Sequence, residues 1–154
     1  MHDTLERNKQ LIRELMAEVD RGNLGVIDTH YAADYVDHTP SPLRGLRPGR
    51  EGIRLAFAAF HRAFPDTRHT IEDLIAEGDR VVARIRAEGT HTGDFFGHAP
   101  TGKVVSLTGI AIYRIVDGKL AERWAEQGLG ILEQLGIDAA SIRPGRAGVT
   151  EGTK

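Results

Sequence analysis

The stretch VDGKLAERWAEQGLGILEQLG, residues 116–136, decides how the chain folds. Asp117-Gly118 follows Arg114-Ile115-Val116 and precedes Leu120. A two-residue type I′ turn needs positive φ at both central positions, which Asp-Gly adopts readily, so the segment reads as a hairpin. A strand from Lys119 to about Gln127 alternates with a period of two. Leu120, Glu122, Trp124 and Glu126 then share one face, and Ala121, Arg123, Ala125 and Gln127 the other. A polar residue near the strand's end is expected to meet whatever the fold encloses. Leu129, Ile131, Leu132 and Leu135 follow as a short apolar helical segment that Gly136 ends.

Working backwards, Val104 to Val116, Arg80 to Thr92 and Thr67 to Ala76 also read as strands, the last two joined through Glu77-Gly78-Asp79. The alternation of Arg80, Val82, Arg84, Arg86 and Glu88 marks an outer face and leaves Ala83, Ile85 and Ala87 inward. Gly93 to Gly102 joins the middle strands and carries Phe95 and Phe96, which a solvated loop would not choose; it is expected to fold over a cavity mouth. Ahead of the strands, Ile53, Phe57, Phe60 and Phe64 form one helical stripe that Pro65 stops. Thr39 to Pro48 is a proline-rich loop, and Tyr35 to His38 a brief extended piece. The first helix carries Leu11, Ile12, Leu15, Met16 and Val19, opens on a capping box of Asp3 and Glu6 and closes at Gly22. Asn23 caps a second helix from Leu24 to about Ala33. Helices followed by a long, mainly antiparallel sheet predict an α+β cone, its curved sheet packed against about three helices around a hydrophobic pocket. Residues 1–142 form that domain, and 143–154 read as a polar, mobile tail.

Composition narrows the function. A chain of 154 residues is one domain, and its net charge of −2 recommends neither nucleic acid nor an anionic membrane as partner. Aromatics at 6% without basic interleaving speak against a nucleic-acid surface as well. The chain has no cysteine, which excludes thiolate chemistry and fits a cytoplasmic location. No run approaches the roughly 20 apolar residues of a membrane span. There is no nucleophile elbow, zincin motif, Walker loop or dinucleotide fingerprint. His91 and Asp94 are spaced for a bend rather than for a metal, and no metal site is expected.

At this point several short motifs, in order, carry a resemblance: His38 in Tyr-Val-Asp-His, Phe64-Pro65-Asp66, Glu77-Gly78-Asp79-Arg80, Gly89-Thr90-His91-Thr92-Gly93, Pro100-Thr101-Gly102-Lys103, Tyr113-Arg114-Ile115 and Glu122-Arg123-Trp124. With Leu129-Gly130 and Gln134-Leu135-Gly136 behind them, the chain resembles the SnoaL-like polyketide cyclases and ester cyclases of the nuclear transport factor 2-like superfamily. The resemblance implies a cone with a deep hydrophobic pocket, a homodimer, and no metal or organic cofactor. It also implies ring closure of a polyketide by intramolecular aldol condensation, with a carboxylate shortly after the tryptophan acting in acid–base catalysis. Counting back from Leu129-Gly130, the family's aspartate falls on Gln127, and an amide orients a carbonyl or enolate but accepts no proton at neutral pH.

Candidate bases therefore lie elsewhere. Glu126, one residue away, reaches inward only through a local shift or bulge, and a solvated role stands beside that reading. His91 is either a proton relay or a brace for the neighbouring loop. His38 either lines the pocket or fixes its own loop, and Asp66 is expected to brace the turn after Pro65. Trp124 is read as an apolar pocket wall with one N–H donor, or as core, and Phe57, Phe60, Phe64, Phe95 and Phe96 complete the expected binding surface for a small hydrophobic molecule. The favoured function is cofactor-independent cyclisation of a polyketide or similar carbonyl compound. A hydrolase or isomerase on the same cone, or a binding protein without catalysis, stand as alternatives; the hydrolase would need an Asp–Arg–Asp cluster.

Overall fold

In the computed structural model, residues 1–39, 49–127 and 130–142 are described. The elements run α1 (His2–Asp20), α2 (Val26–His30), β1 (Tyr31–Asp37), α3 (Arg50–Ala63), β2 (Arg68–Glu77), β3 (Arg80–Thr90), β4 (Val104–Val116), β5 (Lys119–Gln127) and α4 (Gly130–Leu135), then a 3₁₀ turn at Ala139–Ser141. The expected α+β architecture is present. Five strands form one curved, unclosed sheet in the order β1-β5-β4-β3-β2, antiparallel except where β1 runs parallel to β5. The Asp117-Gly118 hairpin forms with φ of 50° and 73°, as its turn type demands. Of the expected apolar segment after β5, Leu129 lies outside the described residues, as do most of the proline-rich loop and the tail.

One face of the sheet is covered. Ile12, Leu15, Met16 and Val19 recur along one side of α1 and pack with Val26 and Ile27 of α2 onto Val81, Ala83, Ala111, Tyr113, Ile115, Leu120 and Ala125. Each fully buried aliphatic side chain there contributes about 1.5–3 kcal/mol. A second cluster forms at the other end, where Phe64, Phe95 and Phe96 meet Val105, Ile131, Leu132, Leu135 and Ile142. Between the two lies the stripe of α3, whose Ile53, Phe57 and Phe60 are only partly buried, facing a sheet surface whose Ile85 and Leu107 are equally half-covered.

Three expectations need correction. α1 begins at His2 with no side-chain cap, and Glu6 pairs with Lys9 at 2.8 Å instead of closing a box with Asp3. The second helix is shorter than expected, because Tyr31 already enters β1 and both Tyr31 and Tyr35 bury their rings against the sheet. β5 also departs from strict alternation. Leu120 pairs with Ile115 and Glu122 with Arg114, which leaves Ala121 as an extra residue in a β-bulge. Leu120 therefore faces the helices, whereas Glu122, Trp124 and Glu126 face away from them.

Candidate functional site on the covered face of the sheet

Register places the inward side chains in rows across β3, β4 and β5. Val81, Tyr113 and Arg123 form one row, Ala83, Ala111 and Ala125 the next, and Ile85, Gly109 and Gln127 a third. Gln127 thus shares the parity of the helix-covered side, but at the strand's end it is exposed, as Glu126 is. Gly109 makes space for it, since a Cβ there would stand 3.1 Å from Gln127 Cγ.

The row nearest β1 holds the most concentrated polar chemistry on this face. Arg123, its side chain 14% exposed, donates from Nη1 to Asp37 Oδ2 at 2.9 Å and to Thr39 Oγ1 at 3.3 Å. Asp37 also accepts from the Tyr35 hydroxyl at 3.3 Å, and its Oδ1 accepts from the backbone N–H of Thr39 at 2.9 Å. Tyr31 meets Tyr35 edge to face, their ring centroids 4.7 Å apart. Burial pushes both phenols above their ordinary pKa, reinforced by neighbouring phenols and by Asp37. Burial works against the charge of Arg123, but Tyr113, Asp37, Tyr35 and Tyr31 outweigh it and raise the guanidinium's pKa. The result is a cation fixed in the core by one carboxylate within a ring of phenols.

Neither Asp37 nor Arg123 stood among the expected site residues. A signal existed: Arg123 alternates with Ala121 and Ala125, small apolar residues typical of a covered face, and a charge on such a face needs a partner. The partner lies 86 positions away in sequence and meets it only through the parallel pairing of β1 with β5.

The expected residues divide into three groups. Gln127, Phe57 and Phe60 face the covered side. His38, Trp124 and Glu126 do not: the His38 ring stacks on the indole at 4.9 Å, Arg80 lies over it at 5.1 Å, His38 Nε2 meets Glu122 at 3.0 Å, and Glu126 is exposed. The bulge at Ala121 puts Trp124 and Glu126 on the outer face, where His38 stacks on the indole, so Trp124 is no pocket wall.

Phe64, Phe95, Phe96 and His91 make up the third group and are packed rather than presented. The rings of Phe64 and Phe95 sit 5.7 Å apart, and those of Phe95 and Phe96 4.8 Å. His91 is fully buried against them; its Nδ1 accepts from Thr101 N–H at 3.2 Å and contacts Thr101 Oγ1 at 3.0 Å. That bond puts the ring proton on Nε2, which finds no acceptor among the described residues. His91 therefore holds the Gly93–Gly102 loop and in this tautomer offers a donor, not a base. Asp66 braces the turn as expected, accepting from Thr90 N at 2.8 Å and Thr90 Oγ1 at 2.7 Å.

Among the described residues no group of three or more histidines and carboxylates could hold a metal, and no helix is long and apolar enough to cross a membrane. An open groove of about 580 Å³ runs between α1 and β2, past Arg13, Met16, Asp20, His69 and Leu74, at the free edge of the sheet.

Comparison with known proteins adds the following. A family model described as SnoaL-like polyketide cyclase matches residues 10–135. AclR from Streptomyces galilaeus, for which a hydroxylase role has been suggested, is 31% identical, with a TM-score of 0.75 over 86% of this chain and 97% of that one. TsrD from Streptomyces laurentii is 30% identical, with a TM-score of 0.73 over 85% and 96%. IdmH from Streptomyces antibioticus, for which a polyketide cyclase role has been suggested, is 31% identical, with a TM-score of 0.72 over 84% and 99%. Among curated proteins none matches this chain.

Proposed function

The chain belongs to the SnoaL-like polyketide cyclase family, and from that premise we propose that it closes a ring in a polyketide-like carbonyl compound by acid–base chemistry without a cofactor. A base takes a proton from carbon flanked by carbonyls. The carbanion attacks a second carbonyl, a C–C bond forms, and the resulting alkoxide takes the proton back, so the reaction is an isomerisation that needs no co-reactant. The observation that carries the reading is the covered face, where the half-buried Ile53, Phe57 and Phe60 of α3 lie over a sheet whose inward polar groups are Asp37 and Arg123, with the exposed Gln127 at its rim. We assign proton transfer to Asp37, whose Oδ1 accepts one hydrogen bond and keeps a second lone pair, and carbonyl orientation to Gln127.

The test is turnover of an aryl β-keto ester bearing a ketone placed for six-membered closure, followed by chromatography. Asp37→Asn should slow closure by roughly 10²–10⁴-fold, the range for loss of a general base, and Gln127→Ala by less. A substrate that binds and is recovered unchanged would establish the binding-protein alternative instead. The hydrolase reading has little support, because among the described residues Arg123 meets one carboxylate rather than two.

The same proposal includes a homodimer formed through the outer face of the sheet. Ile75, Val82, Ile112 and Trp124 line up there in one row, with Ile75 62% and nearby Ile110 49% exposed. Charge pairs of both signs flank the row, among them Arg84 with Asp73 at 2.6 Å and Arg114 with Glu122. Four strands about 4.8 Å apart over the length of β3 give roughly 700 Å² per copy, close to the ~800 Å² of a standard stable interface. Sedimentation equilibrium should give twice the chain mass for the native protein and the single-chain mass for Ile75→Glu/Ile110→Glu. A native protein that sediments as a monomer at tens of micromolar rules the dimer out.

A further inference from the structure

We propose that Arg123, together with the hydroxyls of Tyr31 and Tyr113, is a receptor for the paired oxygens of a β-dicarbonyl enolate. The inference rests on the reading above and names the groups that receive the enolate of its 1,3-dicarbonyl unit. Two of the guanidinium's hydrogen bonds leave from the same nitrogen: Nη1 serves both Asp37 Oδ2 and Thr39 Oγ1. Nε and Nη2 bond to none of the described residues, and neither do the hydroxyls of Tyr31 and Tyr113. Tyr31 and Tyr113 are only 1% and 2% exposed, and Arg123 retains 14% of its side-chain surface. Among the described residues the buried side-chain polar atom without a partner is His91 Nε2, so these donors keep accessible surface, and one carboxylate answers the charge of Arg123 without using its donor capacity. The Nε/Nη2 edge is a planar fork that matches two coplanar oxygens sharing one negative charge. A β-dicarbonyl enolate has that geometry, as a carboxylate does. It also has the charge distribution that forms when the substrate gives up its proton, so a cation held in place beforehand favours the ionised form. In the adjacent row Ala83, Ala111 and Ala125 are small side chains buried in the core. Asp37 acts on this site as a positioning residue as well, since it holds the Nη1 side of the fork.

Benzoylacetone is the probe, because its enolate absorbs apart from the neutral diketone. Titrated into the native protein at pH 7, it should develop the enolate band, with its ionisation shifted at least tenfold toward the anion relative to free solution. Arg123→Gln should abolish the band and Arg123→Lys, a point charge without the fork, should weaken it. Tyr113→Phe removes one hydroxyl and should reduce the enolate population several-fold while circular dichroism stays native; it decides the matter if Arg123→Gln fails to fold. His38→Ala, on the outer face, should leave the band intact. Binding of the neutral diketone with no enolate band overturns the inference and leaves the proposed function standing. An enolate band that survives in folded Arg123→Gln, an unaltered band in Tyr113→Phe, or benzoate binding as tightly as benzoylacetone also overturns it. Failure of the probe to bind at all removes the proposed function together with this inference.

Discussion

At one end of the covered face the protein buries Arg123, Asp37 and three tyrosines; at the other it buries Phe64, Phe95, Phe96 and His91. β4 reaches both ends, through Tyr113 at the first and Val105 at the second, yet they are held by different forces. The first depends on partner identity, because a desolvated guanidinium must keep its carboxylate. The second depends on shape, because aromatic rings packed edge to face have no charge to lose but no slack either. Substitutions at the two ends should therefore fail for different reasons and by different amounts.

The largest effect is expected at the aromatic end, where backbone meets backbone. The N–H groups of Thr92 and Gly93 both donate to the carbonyl oxygen of Ala63, at 3.0 and 3.1 Å, tying the loop to the end of α3. A Cβ on Gly93 would fall 1.9 Å from the Arg62 carbonyl oxygen, a distance no rotamer relieves. Gly93→Ala should cost more than about 4 kcal/mol or prevent folding, read by urea titration or by loss of soluble protein. A variant within about 1 kcal/mol of native would show that the shape at this end is looser than its distances imply.

The next largest effect belongs to the polar end. Asp37→Ala strands Arg123 in the core, a change of the kind that costs about 3–5 kcal/mol, whereas Asp37→Asn keeps hydrogen-bond acceptance and should cost less. Chemical denaturation of both variants tests whether charge or hydrogen bonding governs this cluster. Equal losses in the two would assign it to charge alone.

The two ends also differ in how far they can be read from the sequence. The aromatic end is close to legible: a stripe at Ile53, Phe57, Phe60 and Phe64, a proline that stops it, and two phenylalanines in a loop that had no solvent reason to carry them. What the sequence could not say is that Phe64, Phe95 and Phe96 fill space rather than line it. The strands and the Asp117-Gly118 hairpin are legible too, because turn chemistry and a period of two are local properties. The polar end is not. It needs the pairing of β1 with β5 across most of the chain, and it needs the parity of β5, which one extra residue at Ala121 inverts between Leu120 and Trp124. Nothing around Ala121 announces a bulge: no glycine or proline marks it. Counting alternate residues from Leu120 therefore assigns Trp124 to the wrong side, and with it the expected pocket wall. Counting from Gln127 backwards through Ala125 to Arg123 stays on one side of the bulge and leads to the buried pair.

The smallest effect sharpens the contrast by asking whether the aromatic end contains an electrostatic contribution after all. Asp66, just beyond Phe64 and Pro65, accepts from the backbone N–H and the hydroxyl of Thr90, beside His91. Those two bonds, the backbone one foremost, hold its carboxyl below the usual carboxylate range against the opposing effect of burial. A folded-state pKa below the unfolded value of about 3.9 means that the unfolded chain binds more protons between the two values. The stabilisation by Asp66 is then complete above the unfolded pKa and lost as pH falls through the folded one. Thermal melts of the native protein and Asp66→Ala should differ by a constant few degrees or less from about pH 5 to 7 and converge as pH drops below about 4. A gap that persists unchanged to pH 3 would mean that Asp66 acts through hydrogen-bond geometry without its charge. The aromatic end would then be held by shape alone.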